Sequence, residues 1–207
     1  MKDGLIYIIA KFIVDNFNHL NLVELFKKAG EWVNREKSNV EKKRTYQRIF
    51  VDIFILLKWT FLFVLWKAHL AGLFWTIIVW YLIITNMHAY FYHHAWSDAA
   101  LEGKFMDKHR VRRRFLNLFL ALAFSDMCFA YLYRLPYVAN FSWSGVPLSM
   151  HALWFSISNS VAANYDVVKP ISDSGNSVAM IQLIITFVFV VVIISRAIES
   201  LSETVNP

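Results

Sequence analysis

The sequence predicts an all-α integral membrane protein with four transmembrane helices and a re-entrant helix between the third and the fourth. Its 207 residues are 57% hydrophobic and 17% aromatic, and the mean hydropathy is +0.43. These values are well above those of soluble domains. Long apolar runs and the placement of the basic residues support the same fold class.

Four apolar runs are long enough, or nearly so, to cross a bilayer. They are residues 49–66, 70–92, 115–135 and 177–196. A helix needs about 20 residues to cross a hydrocarbon core of about 30 Å. A fifth apolar piece, at about residues 148–161, is bounded by Pro147 and Pro170. It is too short to cross, and its length suits a re-entrant helix.

The basic residues predict how these helices are oriented. Ten of the 21 lysines and arginines lie in residues 1–48, and six lie in residues 97–114. Loops rich in Lys and Arg stay on the cytoplasmic side of a membrane. We therefore expect a multi-pass protein of the cell membrane with both termini, the tail at 197–207 and the middle loop in the cytoplasm. Residues 104–114 either act only as a topology signal and head-group contact, or bind a cytoplasmic protein or a nucleic acid.

The N-terminal segment, residues 1–48, is amphipathic as well as basic. Between residues 5 and 13, apolar side chains follow a helical spacing against Lys11. This pattern predicts a helix that lies in the membrane interface. Asn21 stands directly before the sequence LVELFKKAGEWV and is a suitable cap for a second helix. Residues 49–96 then supply two peripheral transmembrane helices.

The stretch ALWFSISNSVAANYDVVKPIS, residues 152–172, interrupts the apolar pattern with a polar turn. Together with Gly175, Ala179, Met180 and Arg196 it keeps one register in which residues 115–196 resemble the pore module of the tetrameric potassium-channel superfamily. The resemblance implies an outer helix at 115–135, a pore helix at 150–161, a filter-like turn at 162–166 and an inner helix at 177–196. It also implies a homotetramer, since one protomer supplies only a quarter of such a pore.

The selectivity filter is where the sequence departs from that family. Ala162, Ala163, Asn164, Tyr165 and Asp166 stand where the family has Thr-Val-Gly-Tyr-Gly. In a potassium filter, backbone carbonyls replace the water shell of the ion, and the glycines let them point inward. Asn and Asp tolerate left-handed backbone best after glycine, so we expect Asn164 and Asp166 to keep a filter-like turn. Ala162 lacks the innermost hydroxyl, which predicts passive and weakly selective flow of a monovalent cation, K⁺ or Na⁺.

Asp166 allows two interpretations. Four copies around a four-fold axis would form a ring of carboxylates at the outer mouth, and such a ring attracts cations. Alternatively, the side chain only hydrogen-bonds the turn. Lys169 is expected on the same side of the membrane, where it would offset part of the charge.

Two ionisable residues fall within the predicted spans. Lys58 is near the middle of the first span and Asp126 near the middle of the third. A charge inside a membrane costs at least about 2.5 kcal/mol on insertion scales. We therefore expect the two side chains to form a buried ion pair.

Enzyme chemistry is not predicted, and neither is a metal or another cofactor. His88, His93 and His94 are too few for a membrane di-iron site and fit an aromatic belt at the interface better. Ser156, Ser158 and Ser160 lie near His151 in sequence, but no acidic partner for nucleophilic catalysis is evident. Hydroxyl groups that hydrogen-bond locally on a helix are the better account.

Two functions stand beside the cation channel as hypotheses. The chain could be a non-conducting membrane protein that keeps the channel-like fold for assembly or interaction, as Ala162 and Ala163 suggest. It could also be an effector pore that a partner opens through residues 104–114 and that depolarises the cell.

Overall fold

The structure is a computed structural model, and it is helical over most of the chain. It describes residues 4–18, 21–33, 40–96, 108–145 and 149–205. These residues group into two compact units, residues 1–64 and residues 65–207. The predicted all-α class is confirmed, because the strands within the described ranges are two short segments of three residues each.

The helices are numbered here in chain order. They are α1 Leu5–Asn18, α2 Leu22–Val33, α3 Val40–Lys67, α4 Leu73–Phe91, α5 Lys108–Arg134, α6 Ser149–Ser160 and α7 Asp173–Val205. A π-helical turn, Tyr92–Trp96, extends α4, and a 3₁₀ turn, Val138–Asn140, precedes the first strand. The strands β1, Phe141–Trp143, and β2, Val168–Pro170, pair antiparallel.

Four of these helices are long and apolar enough to cross a membrane, as the four apolar runs predicted. The stretches that qualify are Thr45–Lys67, Leu73–Phe91, Phe115–Arg134 and Asp173–Val192. Helices α3 and α5 also extend into the basic segments, since they begin at Val40 and Lys108. Part of the predicted loop at 97–114 is therefore helical, as the helix propensity of Lys and Arg allows. Residues 97–107 lie outside the described residues, and α7 continues through most of the predicted tail.

The unit of residues 1–64 contains α1, α2 and most of α3. Asn21 caps α2 as predicted: its Oδ1 accepts from the Val23 N–H at 3.0 Å, and its carbonyl accepts from the Glu24 N–H at 3.0 Å. Gly30 lets α2 approach α3 closely, because a Cβ there would lie 3.1 Å from the Tyr46 carbonyl oxygen.

The unit of residues 65–207 packs α6 against both α5 and α7. Its core is rich in aromatic side chains. The Tyr133 ring lies 4.9 Å from the rings of both Phe141 and Phe155. Each aromatic pair adds stability beyond the burial of its area. The short helix α6 is therefore fixed by aromatic contacts to α5 and to β1.

Candidate functional site

Helix α6 is the predicted pore helix, and the structure confirms a short helix at that place. It has 12 residues, which at 1.5 Å per residue gives about 18 Å, too little to cross a bilayer. Ala152, Phe155 and Ser156 are buried, whereas Trp154 and Ile157 are exposed. Helix α6 thus presents one face to the core of its unit and leaves an apolar face uncovered within the chain.

The end of α6 is a Schellman motif centred on Ala162. The Ala163 N–H donates to the Ser158 carbonyl at 2.7 Å, and the Ala162 N–H donates to the Asn159 carbonyl at 2.9 Å. This pair of bonds requires a left-handed residue, and Ala162 has φ +55°. The residue that stands where the potassium-channel family has its innermost hydroxyl therefore serves as the C-terminal cap of α6.

Asn164 and Asp166, which were expected to keep a filter-like turn because they tolerate left-handed backbone, do not have positive φ. Within the described ranges the residues other than glycine with positive φ are His69 and Ala162. The reason is that the helix cap takes the left-handed position two residues before Asn164. The chain then has no regular secondary structure at residues 163–165 and turns at residues 166 and 167.

The backbone carbonyl and the side-chain hydroxyl of Tyr165 both form hydrogen bonds within the chain. Its carbonyl accepts from the Val168 N–H at 3.2 Å, and its hydroxyl lies 2.9 Å from His151 Nδ1 on α6. The Val167 carbonyl accepts from the Ser144 N–H at 2.8 Å. The Tyr165 carbonyl is therefore occupied by a turn hydrogen bond within the chain, whereas the backbone carbonyls of a potassium filter face the ion.

Asp166 forms an exposed ion pair with Lys169. The Lys169 Nζ lies 3.0 Å from Asp166 Oδ1, which also accepts from the Asn164 amide at 3.1 Å. The Lys169 ammonium, and after it the Asn164 amide, hold the pKa of the Asp166 carboxyl below its ordinary value of 3.8. Because the folded pKa is the lower one, the stability that this pair gives is complete above about pH 4 and is lost as the pH falls through the folded value. The carboxylate is thus ionised at neutral pH, with a positive charge beside it.

A buried group of hydrogen-bonded side chains, here called the polar network, ties α5, α6 and α7 together. Its centre is Gln182 on α7, which is fully buried. The Gln182 Nε2 lies 3.1 Å from Asp126 Oδ1 and 2.7 Å from Ser156 Oγ. Its Oε1 accepts from the Tyr133 hydroxyl at 2.6 Å and from the Asn159 amide at 2.9 Å. One side chain on α7 therefore satisfies polar groups on both α5 and α6.

Asp126 is part of the polar network through its carboxylate and its backbone. The Ser156 hydroxyl donates to the Asp126 carbonyl at 2.7 Å, and Gln182 reaches the carboxylate. Lys58 is buried, as expected of a lysine within a span. The two residues belong to different units, and the Lys58–Asp126 ion pair stays a prediction.

The serines of α6 have different roles. The Ser160 hydroxyl donates to the Ile157 carbonyl at 2.8 Å, which is the local bond that was predicted. The Ser156 hydroxyl bonds to α5 instead, because it lies on the buried face of α6. Among the described residues, no three His, Cys, Asp or Glu side chains are grouped so that they could hold a metal ion.

Sequence reasoning missed Gln182, Asn159 and Tyr133. A signal for Gln182 was present, since it is the only Gln, Asn or charged residue in the apolar run 177–195. A polar side chain within a span is expected to hydrogen-bond to another helix. Its partners could not be read from the sequence, because they depend on how three helices pack.

Ala162→Gly should stabilise the protein, whereas Ala163→Gly should not. A left-handed residue with a Cβ costs about 1–2 kcal/mol, and glycine removes that cost at Ala162. At Ala163, where φ is not positive, glycine only adds freedom to the unfolded chain and should cost about 0.4–1 kcal/mol. The midpoint of thermal unfolding in detergent should rise for the first variant and fall for the second. Equal shifts would contradict the assignment of the cap.

The arrangement offers a short helix between two possible spans, an exposed turn with a tyrosine held by that helix, and an ionised carboxylate beside a lysine. Such a turn can bind or guide ions only if several copies meet, because one copy leaves Ala162, Ala163 and Asn164 open to the outside.

In comparisons with models of protein families, with curated proteins and with solved structures, no significant match to this chain is found.

Proposed function

We propose that the chain is one protomer of a homotetrameric cation channel in the cell membrane. Helices α5, α6 and α7 form its pore module, and residues 162–166 line its narrow part. Helices α3 and α4 are peripheral, and both termini are cytoplasmic. The permeating ions are monovalent cations, K⁺ or Na⁺, with weak discrimination between them, and no enzyme activity or bound cofactor is involved.

The observation that carries this proposal is the order of elements between α5 and α7. A helix too short to cross is followed by an exposed, non-helical segment and then by a second apolar helix. Non-helical backbone is tolerated at membrane depth only where protein buries it or where it borders water. A water-filled axis between four copies is the arrangement that meets this requirement, and it agrees with the resemblance to potassium-channel pore modules.

Weak selectivity follows from the same segment. Ala162 has no hydroxyl to bind an ion, and the carbonyls of Tyr165 and Val167 accept hydrogen bonds from the protein. Without the Ala162 hydroxyl and with the Tyr165 carbonyl occupied, the ligands that would replace the water shell of an ion are incomplete, so a partly hydrated cation should pass. Each protomer places Asp166 at the mouth, but Lys169 lies 3.0 Å away. The ring of carboxylates is therefore paired with a ring of ammonium groups, and the attraction of cations is moderate.

The second candidate is a non-conducting membrane protein that uses the same fold for assembly or interaction. The helix cap at Ala162 and the hydrogen-bonded carbonyl of Tyr165 favour it, because both fix the backbone in a way that does not need an ion. An effector pore opened by a protein or nucleic-acid partner at residues 104–114 is a form of the first candidate, since it also conducts ions. Part of that segment, residues 104–107, lies outside the described residues.

The mass of the purified protein in nanodiscs tests the proposal. A tetramer is expected, with a protein mass four times the 24.2 kDa of one chain, because four protomers are needed to close the pore. The Ala162→Gly variant should have the same mass, since the cap lies within one protomer. A stable monomer or dimer would exclude both the channel and the effector pore. A tetramer that carries no current would instead support the non-conducting membrane protein.

A further inference from the structure

We propose that α1 is a membrane-surface anchor whose exposed apolar face lies in the boundary between head groups and acyl chains of phospholipids. This inference concerns residues 1–64 and is independent of whether the chain conducts ions. It begins from the sides of α1, which differ in exposure and in polarity.

Helix α1 has three distinct sides. At 3.6 residues per turn, Tyr7, Lys11 and Asp15 lie one above another along a polar side. Ala10, Val14 and Phe17 share a second side and are half-buried. The third side consists mainly of large apolar residues that are exposed, Leu5, Ile6, Ile9, Phe12 and Ile13, with the exposed Asn16 at its C-terminal end.

The third side is too exposed to be a normal part of a soluble surface. Leu5 is 68% exposed, Ile6 85% and Phe12 70%, and they are neighbours on one helix. A contiguous apolar patch of this kind marks a membrane or a protein contact. Because its side chains are exposed, this side of α1 is open to a partner outside the chain.

Phospholipid fits this face better than a second copy of the chain. One face of a 14-residue helix offers less than the roughly 800 Å² per partner that a standard protein interface buries. The same helix is about 21 Å long, too short to cross a bilayer. Lying in the interface is the remaining way to bury its apolar side, with Lys11 on the polar side towards the head groups.

The position and charge of the segment support the same partner. Helix α3 contains a candidate span that starts at Thr45, and α1 belongs to the same compact unit. Insertion of that span would therefore bring a membrane to the unit that contains α1. Residues 1–48 contain ten basic and six acidic residues, so their net charge is +4. This charge suits a leaflet that contains anionic lipids.

The depth of single probes on α1 tests the proposal in the full-length protein. Cysteine is introduced at Ile9, at Phe12 and, as the matched control on the polar side, at Lys11, and each is labelled with an environment-sensitive fluorophore. Cys128 is buried, and the parent protein treated in the same way shows whether it takes up label. The variants are reconstituted into vesicles of phosphatidylcholine and phosphatidylglycerol, with or without a nitroxide on the acyl chains near the head groups.

Probes at Ile9 and Phe12 should emit at shorter wavelength than the probe at Lys11, and the lipid nitroxides should quench them several-fold more. Equal quenching at the three positions would overturn the proposal, because the helix would then have no side facing lipid. Energy transfer between probes at Ile9 of different copies, without quenching by the lipid nitroxides, would also overturn the proposal. A second copy of the chain would then cover this face. The result does not depend on any current through the protein.

Discussion

Gln182→Leu should cause the largest loss of stability of any single substitution in the residues that form the α5–α6–α7 module. The side chain is fully buried, and leucine leaves its partners on α5 and α6 without their bonds. A buried polar group that loses its partner costs about 1–3 kcal/mol, although hydrogen bonds between transmembrane helices average about 0.6 kcal/mol. With several partners affected, we expect a loss of about 2–4 kcal/mol in the free energy of unfolding.

Unfolding by sodium dodecyl sulfate in mixed micelles measures this loss. Met180→Leu is the matched control, because Met180 lies on the same helix and is exposed, so the volume-conserving change should cost little. Asn159→Ala should be less damaging than Gln182→Leu, since it removes the bonds of the Asn159 amide to Gln182 and to the Ala179 carbonyl, whereas Gln182→Leu removes the bonds to four side chains. If Gln182→Leu unfolds at the same detergent concentration as Met180→Leu, the polar network does not hold the three helices together.

Gly175→Ala should be the second most damaging change. A Cβ at this position would lie 2.5 Å from the Asn140 carbonyl oxygen and 3.3 Å from Pro170 Cβ. The Asn140 carbonyl accepts from the Ile171 N–H at 3.0 Å, so it cannot move away without breaking the link between the two strand ends. Overpacking of this kind costs about 1–3 kcal/mol.

The N-terminus of α7 would be disturbed by the same change. The Ser172 hydroxyl donates to Asn140 Oδ1 at 2.7 Å and accepts from the Gly175 N–H at 3.1 Å. Gly72→Ala is the control, because a Cβ there meets nothing closer than the Trp75 side chain at 3.9 Å. The midpoint of thermal unfolding should fall for Gly175→Ala and stay nearly unchanged for Gly72→Ala. Equal midpoints would contradict the close approach of α7 to residue 140.

The long elements could be predicted from the sequence because one physical signal determines each of them. Apolar runs of membrane length predicted four spans, and all four appear as helices. Asn21 predicted the cap of α2 through a local hydrogen bond. The short helix before the polar turn was also predicted, within one residue at each end. Periodicity and capping act within a few residues of the chain, so they leave a clear pattern in it.

The details of the candidate site could not be predicted in the same way. Whether the left-handed residue is Ala162 or Asn164 depends on where α6 ends, and general preferences favour asparagine over alanine at such a position. The structure places it at the alanine, because the two bonds of the Schellman motif close there. The partners of Gln182 and the hydroxyl contact between Tyr165 and His151 arise from packing between segments, which no local pattern encodes.

The reversal potential across a planar bilayer, with KCl on one side and NaCl on the other and then under a KCl gradient, tests the proposed function most directly. The Asp166→Asn variant should shift from cation towards anion preference, because it leaves Lys169 at the mouth without its carboxylate. For the unaltered protein we expect a cation current with little preference for K⁺ over Na⁺, since Ala162 offers no hydroxyl and the Tyr165 carbonyl already accepts from the Val168 N–H, so the shell of ligands around an ion is incomplete. Near-perfect selectivity for K⁺, or no current from a protein shown to be tetrameric, would contradict the account.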